Sequence, residues 1–530
     1  MRRWNGWGEE TVDFPLPESA GAFLKGKLGP GIKLRDVSLE ESAARVPSSR
    51  LPDHPLVSTD PLERLKHSTG QSFPDWVNIR CGTVPAFPDG VAFPLTGEDV
   101  REIISYSKRI GATVIPYGGG TSVVGHLNAT AGDRPVITVD MGRMNGLVHM
   151  DGKGCLATFG AGVKGPDLEA ALRAAGFTLG HYPQSFELST LGGWVASRSS
   201  GQFSLGYGRI ERLFVGGTVE SPAGRIDLPS FPSSAAGPDL REFIMGSEGR
   251  YGIVTHATVK ITPLPEEESF HGAFFPSEDA GISAVRELAQ AVLPLTMIRL
   301  SLNQETITNL TLAGESKAIG LLKKWLAFRG VGDNMCMLIY GATGSSKKVN
   351  WTMQRAREII KRHRGVPVGA RPGREWYKNR FRAPYLRNTL WETGYAVDTL
   401  ETATTWSRVS ETVREIEEGL RNALKGKGEK IHVFTHLSHV YPHGSSIYTT
   451  YLFRLTADHA ETLERWRALK GAASEAIVRC RGTISHQHGV GEDHLPYLEA
   501  EKGSLGMEML RTLGRTLDPG GIMNPGKLYR

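Results

Sequence analysis

The sequence predicts an α+β protein: two α/β units, an extended or partly helical lead-in before them, and a helical segment closing the chain. Three observations predict it. Short apolar runs of strand character alternate with helical periodicities on both sides of Pro263-Leu264-Pro265-Glu266-Glu267-Glu268, which breaks the pattern. Glycine is abundant, 63 of 530 residues, with no repeat period, so many turns and close backbone contacts are needed. The length suits two or three domains.

The elements follow in order. Residues 1–85 are rich in proline and charge and form the lead-in. In the first unit, residues 86–265, Thr96 with Asp99 makes a helix N-cap arrangement ahead of Val100, Ile103, Ile104 and Tyr106. Pro166 and Gly176 bracket a second helix, and 112–115, 135–140 and 254–261 read as strands. In the second unit, residues 266–460, strands near 297–302 and 335–341 alternate with helices near 281–292 and 350–363. Val409, Val413, Ile416, Leu420 and Leu424 keep a helical period. Strands at 431–440 and 446–455 are joined by Tyr441-Pro442-His443-Gly444. Residues 461–530 are mostly helical and end on Asn524-Pro525-Gly526-Lys527.

Composition narrows the function. The net charge of +6 is spread along the chain, which is weak support for a nucleic-acid partner. It suits an anionic cofactor, an anionic substrate or a membrane surface equally. Cys81, Cys155, Cys336 and Cys480 form no C-x-x-C pair, a reduced pattern without a disulfide framework or a structural zinc site. The N-terminus has no signal-peptide core, no run approaches the ~18 apolar residues of a membrane span, and the last three residues are not a peroxisomal signal. A cytoplasmic protein is expected, with peripheral membrane contact and a homodimer left open.

Three segments carry the cofactor chemistry. In Pro116-Tyr117-Gly118-Gly119-Gly120-Thr121-Ser122, after a predicted strand, three glycines admit close backbone approach, and successive N–H groups with two hydroxyls can cradle a phosphate. The loop is neither a G-x-G-x-x-G fingerprint nor a P-loop. Gln184-Ser185-Phe186-Glu187-Leu188-Ser189-Thr190 runs into a helix, with Ser197-Arg198-Ser199-Ser200 following, so a small-residue helix N-terminus can meet pyrophosphate or ring oxygens. Glu248-Gly249-Arg250-Tyr251-Gly252-Ile253-Val254 precedes a strand, and its backbone can line a flat aromatic edge. Each alone is also a tight turn, a well-capped helix or a β-bulge.

Together the three resemble the FAD domain of the vanillyl-alcohol-oxidase type of flavoprotein, over roughly residues 90–265. The resemblance implies a two-subdomain, PCMH-type FAD-binding domain followed by a cap domain for substrate. Many members attach the flavin through a His or Cys of the first loop. Here that position is Thr121, so the resemblance implies non-covalent FAD, although His126 lies a few residues on.

Eight of the 16 histidines, His432, His436, His439, His443, His459, His486, His488 and His494, fall within residues 432–494. A metal site, scattered surface histidines and a polar active site are the three readings; the absence of H-E-x-x-H or a cysteine partner argues against metal. In Ser485-His486-Gln487-His488-Gly489, an extended backbone points His486 and His488 to one side. Tyr448 and Tyr451 face opposite ways on a strand, and one can meet the flavin as a proton donor or acceptor if a cation or imidazole lowers its pKa. Arg387 and Arg299 are isolated cations in apolar surroundings, read either as buried ion pairs or as clamps on phosphate or carboxylate.

From about residue 85 onward the chain is similar to the alkyldihydroxyacetonephosphate synthases, flavoenzymes of ether-lipid synthesis. The resemblance rests on Arg387, Leu400-Glu401-Thr402-Ala403-Thr404-Thr405-Trp406, the Tyr448 strand, the histidine loop and Asn524-Pro525-Gly526. It implies exchange of the acyl group of acyl-dihydroxyacetone phosphate for a long-chain alcohol, without net redox change. It assigns Tyr448 as acid/base, Arg387 as substrate-binding, Arg299 as a second active-site arginine, and His486 and His488 as the outer two of three family histidines. The middle one is Gln487 here, which cannot titrate. An apolar tunnel through the second unit is expected for the chain of the lipid. A FAD-dependent 2-hydroxy-acid dehydrogenase or oxidase, of D-lactate or glycolate type, and a non-enzymatic flavin or lipid carrier stay open as alternatives.

Overall fold

The computed structural model describes residues 2–314 and 317–530. Its first sheet has four strands in the order Val57–Ser58, Gly90–Ala92, Val136–Asp140, Thr113–Tyr117, the last three parallel. Helix Gly97–Ile110 packs Val100, Ile103 and Ile104 on Val114, Ile137 and Val139, each buried side chain contributing roughly 1.5–3 kcal/mol. The cap is the expected one: the Thr96 hydroxyl accepts from Asp99 N while the Asp99 carboxylate accepts from Thr96 N.

A second, antiparallel sheet runs Leu147–Asp151, Leu156–Gly160, Ile253–Lys260, Phe214–Ser221, Gly224–Leu228. Helix Gly165–Ala174 carries Pro166 in its first turn, and Gly176 follows it at φ 83°.

The third sheet has seven antiparallel strands: Val366–Gly369, Glu267–Phe275, Cys336–Gly344, Met297–Ser301, His432–Tyr441, Gly444–Arg454, Tyr395–Thr405. Helices Glu278–Gln290, Ser346–Arg362, Val409–Ala423 and His459–Arg479 cover one face. Val409, Val413, Ile416 and Leu420 bury the expected stripe there. The other face looks towards the glycine loops. Three of its strands, Val366–Gly369, Glu267–Phe275 and Tyr395–Thr405, escape the sequence pattern: the second begins inside the acidic break, and Asp398 and Glu401 interrupt the apolar alternation of the third.

The lead-in is built into this structure. The Asn388 amide bonds Trp7 from both sides, accepting from its N–H at 3.1 Å and donating to its carbonyl at 3.0 Å. Helix Glu18–Leu28 lies against helix Asn303–Leu312. No helix among the described residues is long and apolar enough to cross a membrane.

Candidate active site

A cavity of about 490 Å³ separates the glycine loops from the open face of the seven-stranded sheet, within the roughly 300–1,000 Å³ usual for small-molecule sites. The first loop needs its glycines. A Cβ on Gly119 would stand 2.0 Å from the Leu188 carbonyl oxygen, and one on Gly118 2.3 Å from Thr190 Oγ1. Gly120 has φ 63°. The loop is therefore seated on the segment before helix Leu191–Ser197, whose N-cap is Thr190. Backbone N–H groups, small hydroxyls and no side-chain bulk suit the phosphates and ring edge of a dinucleotide.

Pro116, Tyr117, Gly118, Gly119, Gly120, Thr121, Ser122, Gln184, Ser185, Ser189, Thr190, Ser197, Ser199, Ser200, Glu248, Gly249, Gly252, Ile253 and Val254 line this cavity. Six expected cofactor residues do not, and each has another task. Phe186 stacks on Phe381, and Glu187 accepts a long hydrogen bond from Tyr385. Leu188 seats the glycine loop by its carbonyl. Arg198 pairs with Glu242 at 2.8 Å. Arg250 donates to the Met523 carbonyl, and the Tyr251 hydroxyl to that of Leu510. They brace the segments around the cavity. Glu248 lines the cavity and braces it too: its carboxylate accepts from Val490 N and Gly491 N and lies 3.0 Å from His126 Nε2.

Alternation along His432–Tyr441 turns His432, Phe434, His436 and Ser438 into the cavity. Tyr448 pairs across the strands with His436, and their rings stack 4.8 Å apart. Tyr451 points away, to Asp398. Burial raises the Tyr448 phenol to about 12, partly offset by its hydrogen bond with Thr399 and by Arg299. The lowered pKa that would make a resting base is thus not found; this phenol rests protonated.

Arg299 bonds Glu305 at 2.6 Å and His436 at 3.0 Å. Burial pushes Glu305 up, but His436 and Arg299 outweigh it and hold the carboxyl at about 2. Arg299 is thus an ion-pair member that also faces the cavity. Arg387 differs. Its guanidinium lies 4.3 Å over the Trp76 ring and donates to the Gln71 carbonyl at 2.7 Å. Among the described residues no carboxylate is within ion-pair distance of it. Burial lowers it to about 10, against the pull of Asp398 and Tyr448. A desolvated cation with spare donors is a site for an oxyanion.

The histidine loop is not extended. It wraps the Glu401 carboxylate, which accepts from Ser485 Oγ at 2.9 Å and from the backbone N–H groups of His486 (2.5 Å), Gln487 (3.0 Å) and His488 (2.9 Å). The expectation that His486 and His488 share a side therefore fails. His488 faces the cavity, edge-on to Tyr448 at 5.8 Å, and so does Gln487. His486 turns to Arg209 and Tyr441, each 2.6 Å from its Nε2. His494 is buried behind, on the Gly489 carbonyl, and His443 is exposed in the hairpin turn. Glu401, Glu305 and Arg209 went unnamed as site residues because single charges in a sequence carry no mark of what they hold.

Beyond Arg387 the cavity runs into an apolar arm between Leu390, Val397, Phe434 and Leu452 of the second unit and Leu16, Ala20, Phe23 and Leu24 of the lead-in. The expected tunnel thus has a wall from a part of the chain not foreseen. No group of three or more His, Cys, Asp or Glu among the described residues is placed to hold a metal ion.

Comparison with known proteins agrees with this geometry. Residues 88–227 match the family model "FAD binding domain", and residues 264–528 match "FAD linked oxidases, C-terminal domain". The chain belongs to the FAD-linked oxidase family, and FAD is its cofactor. Nearer relatives sharpen the picture. It is 28% identical to the alkyldihydroxyacetonephosphate synthase of Dictyostelium discoideum, covering 99% of this chain and 93% of that one. It is 29% identical to that of Trypanosoma brucei brucei, covering 99% and 92%. A solved alkyldihydroxyacetonephosphate synthase structure superposes with a TM-score of 0.85 at 27% identity, covering 99% of both chains.

Proposed function

We propose that this chain is a FAD-dependent enzyme of alkyldihydroxyacetonephosphate synthase type, exchanging the acyl group of acyl-dihydroxyacetone phosphate for a long-chain alcohol. The observation that carries the reading is one continuous cavity. It joins the glycine loops, an arginine without a carboxylate partner among the described residues, a tyrosine between two imidazoles, and an apolar arm. A small 2-hydroxy acid needs no such arm.

Arg387, assisted by Arg299, holds the phosphate and so fixes the reacting carbon, and placement of this kind supplies much of a rate enhancement. Bound FAD supplies an electrophilic ring system beside these groups. Tyr448, protonated at rest, donates a hydrogen bond to the substrate ketone, passes its proton to that oxygen and takes one from C1, which restores the phenol. Arg299 favours its phenolate in that step. His488, edge-on to Tyr448, and Gln487 complete the polar wall. The arm shields the hydrocarbon chain from water. Thr121 in the first loop, and His126 engaged with Glu248, support non-covalent FAD.

A membrane contact belongs to the same reading. Helix Lys317–Phe328 buries Leu326 against Phe274 and Val331 but exposes Leu321 (72%), Trp325 (40%) and Phe328 (86%) on another face, with Lys323 and Lys324 alongside. Apolar and basic groups on one helix suit an anionic lipid surface. The helix follows closely on Leu312, which lines the cavity.

Anaerobic mixing tests the reading. Addition of hexadecanol with acyl-dihydroxyacetone phosphate should leave the flavin absorbance oxidised. Bleaching by D-lactate or glycolate would instead assign the protein to 2-hydroxy-acid oxidation.

A further inference from the structure

Strand His432–Tyr441 slips register between Ser438 and Val440, leaving His439 unpaired as a β-bulge. Its φ is 49°, uncommon for any residue other than glycine. Such strain persists only where the surroundings fix it, and it concentrates at functional sites. Here the bulge has a geometric result. Ser438 and His439, which would alternate in a regular strand, both face the cavity.

The ring is held. Ser200 Oγ lies 3.1 Å and Ser204 Oγ 2.9 Å from Nδ1. Neither hydroxyl has another acceptor among the described residues, so we assign both as donors to Nδ1, which puts the ring proton on Nε2. Among the described residues Nε2 has no hydrogen-bond partner. Burial, and then the nearby Arg209, lower this imidazole to about 3, so it stays neutral. It cannot take a proton from an alcohol at neutral pH. It can donate a fixed N–H to an oxygen that gains negative charge, with Arg209 behind it. His486, 5.4 Å away between ring centres, is locked onto Arg209 and Tyr441 outside the cavity wall.

We infer that His439 is a catalytic residue of this enzyme, its Nε2–H donating to the carboxylate oxygen of the departing fatty acid. The inference rests on the synthase reading above. No proton moves through His439: the bond from C1 to the acyloxy oxygen breaks, its electron pair leaves on the fatty-acid carboxylate that the N–H meets, and over the whole exchange the alcohol oxygen bonds to C1 in its place while the alcohol's proton passes to water.

The test uses the holoenzyme and the variants His439→Ala and His439→Gln, the glutamine keeping an N–H donor. Palmitate binding, read by calorimetry, should weaken about tenfold in His439→Ala and recover in His439→Gln. Exchange should fall about 10²–10³-fold in kcat for the alanine variant, the usual cost of losing one such donor, and less for glutamine. FAD content and the shape of the pH–rate profile should not change. Equal losses in both variants, undiminished palmitate binding in His439→Ala, or a loss confined to FAD affinity would each overturn the assignment. If the wild type shows no exchange, the synthase reading falls, while the palmitate comparison still decides whether His439 binds the carboxylate.

Discussion

Tyr448 and His436 face each other across two strands with their rings stacked 4.8 Å apart, and Arg299 and Glu305 hold the far side of that imidazole. The phenol is thus fixed in position and, with its acidity suppressed by burial, begins each cycle protonated. Tyr448→Phe removes the hydroxyl and its hydrogen bond with Thr399 and keeps the ring. It should cost about 10²–10⁴ in exchange rate, the usual worth of a positioned acid or base, while bound FAD and its visible spectrum are retained. Wild-type turnover in the phenylalanine variant would remove Tyr448 from the mechanism.

Arg387 has a cavity-facing charge with no carboxylate among the described residues within ion-pair distance. Replacing a desolvated cation of this kind by an apolar side chain tends to leave stability unchanged or raised. Arg387→Met should therefore keep or increase the thermal midpoint while raising KM for the phosphate substrate about 10- to 100-fold, the worth of a charged hydrogen bond or two. A drop in midpoint with unchanged KM would make Arg387 structural.

Glu401 organises the histidine loop from beneath, accepting three backbone N–H groups and one hydroxyl. Glu401→Ala strands these buried donors and should destabilise the fold by about 3 kcal/mol or more. Urea titration of the variant measures this directly, and the midpoint should move with little change in m-value.

Acid stability follows from the buried imidazoles. His181 and His439 are lowered to about 3 and His432 to about 4, each chiefly by burial. Their unfolded pKa is about 6.5, so below that value the unfolded chain binds protons the native one refuses, and stability falls with pH. Asp75 and Asp493, raised by burial to about 6 and about 7, act in the opposite sense, because the native state takes up their protons first. The histidines, more numerous, should win: the thermal midpoint should drop from pH 7 to pH 5, and less steeply in His432→Gln. A midpoint that rises over this range contradicts the balance.

Helix Lys317–Phe328 should bring the protein to phosphatidylglycerol vesicles. A Leu321→Ser, Trp325→Ser, Phe328→Ser triple variant should lose cosedimentation yet keep exchange on detergent-dispersed substrate. Retained cosedimentation would place the contact elsewhere.

How much of this was legible in the sequence depends on what leaves a local mark. Close backbone approach demands glycine, so the Gly118-Gly119-Gly120 loop announced itself, as did the Thr96–Asp99 cap and the stripe from Val409 to Leu420. Long-range relationships leave no such mark. Nothing near Trp7 foretells its bonds to Asn388, and nothing near Leu24 places it against Leu452. The alternation rule misplaced His486 because Glu401, 85 residues away, bends the loop by accepting its N–H groups. A bulge at His439 is equally silent, since a histidine at positive φ looks like any other in a strand.

The central claim is that one cavity holds flavin, phosphate and alkyl chain together for an exchange without net oxidation. The most direct measurement incubates the purified holoenzyme with acyl-dihydroxyacetone phosphate and labelled hexadecanol. The account predicts label in an alkyl ketone phosphate, release of one fatty acid per label incorporated, and an oxidised flavin spectrum throughout. No incorporation by a flavin-replete protein, or incorporation only with stoichiometric flavin reduction, would contradict it.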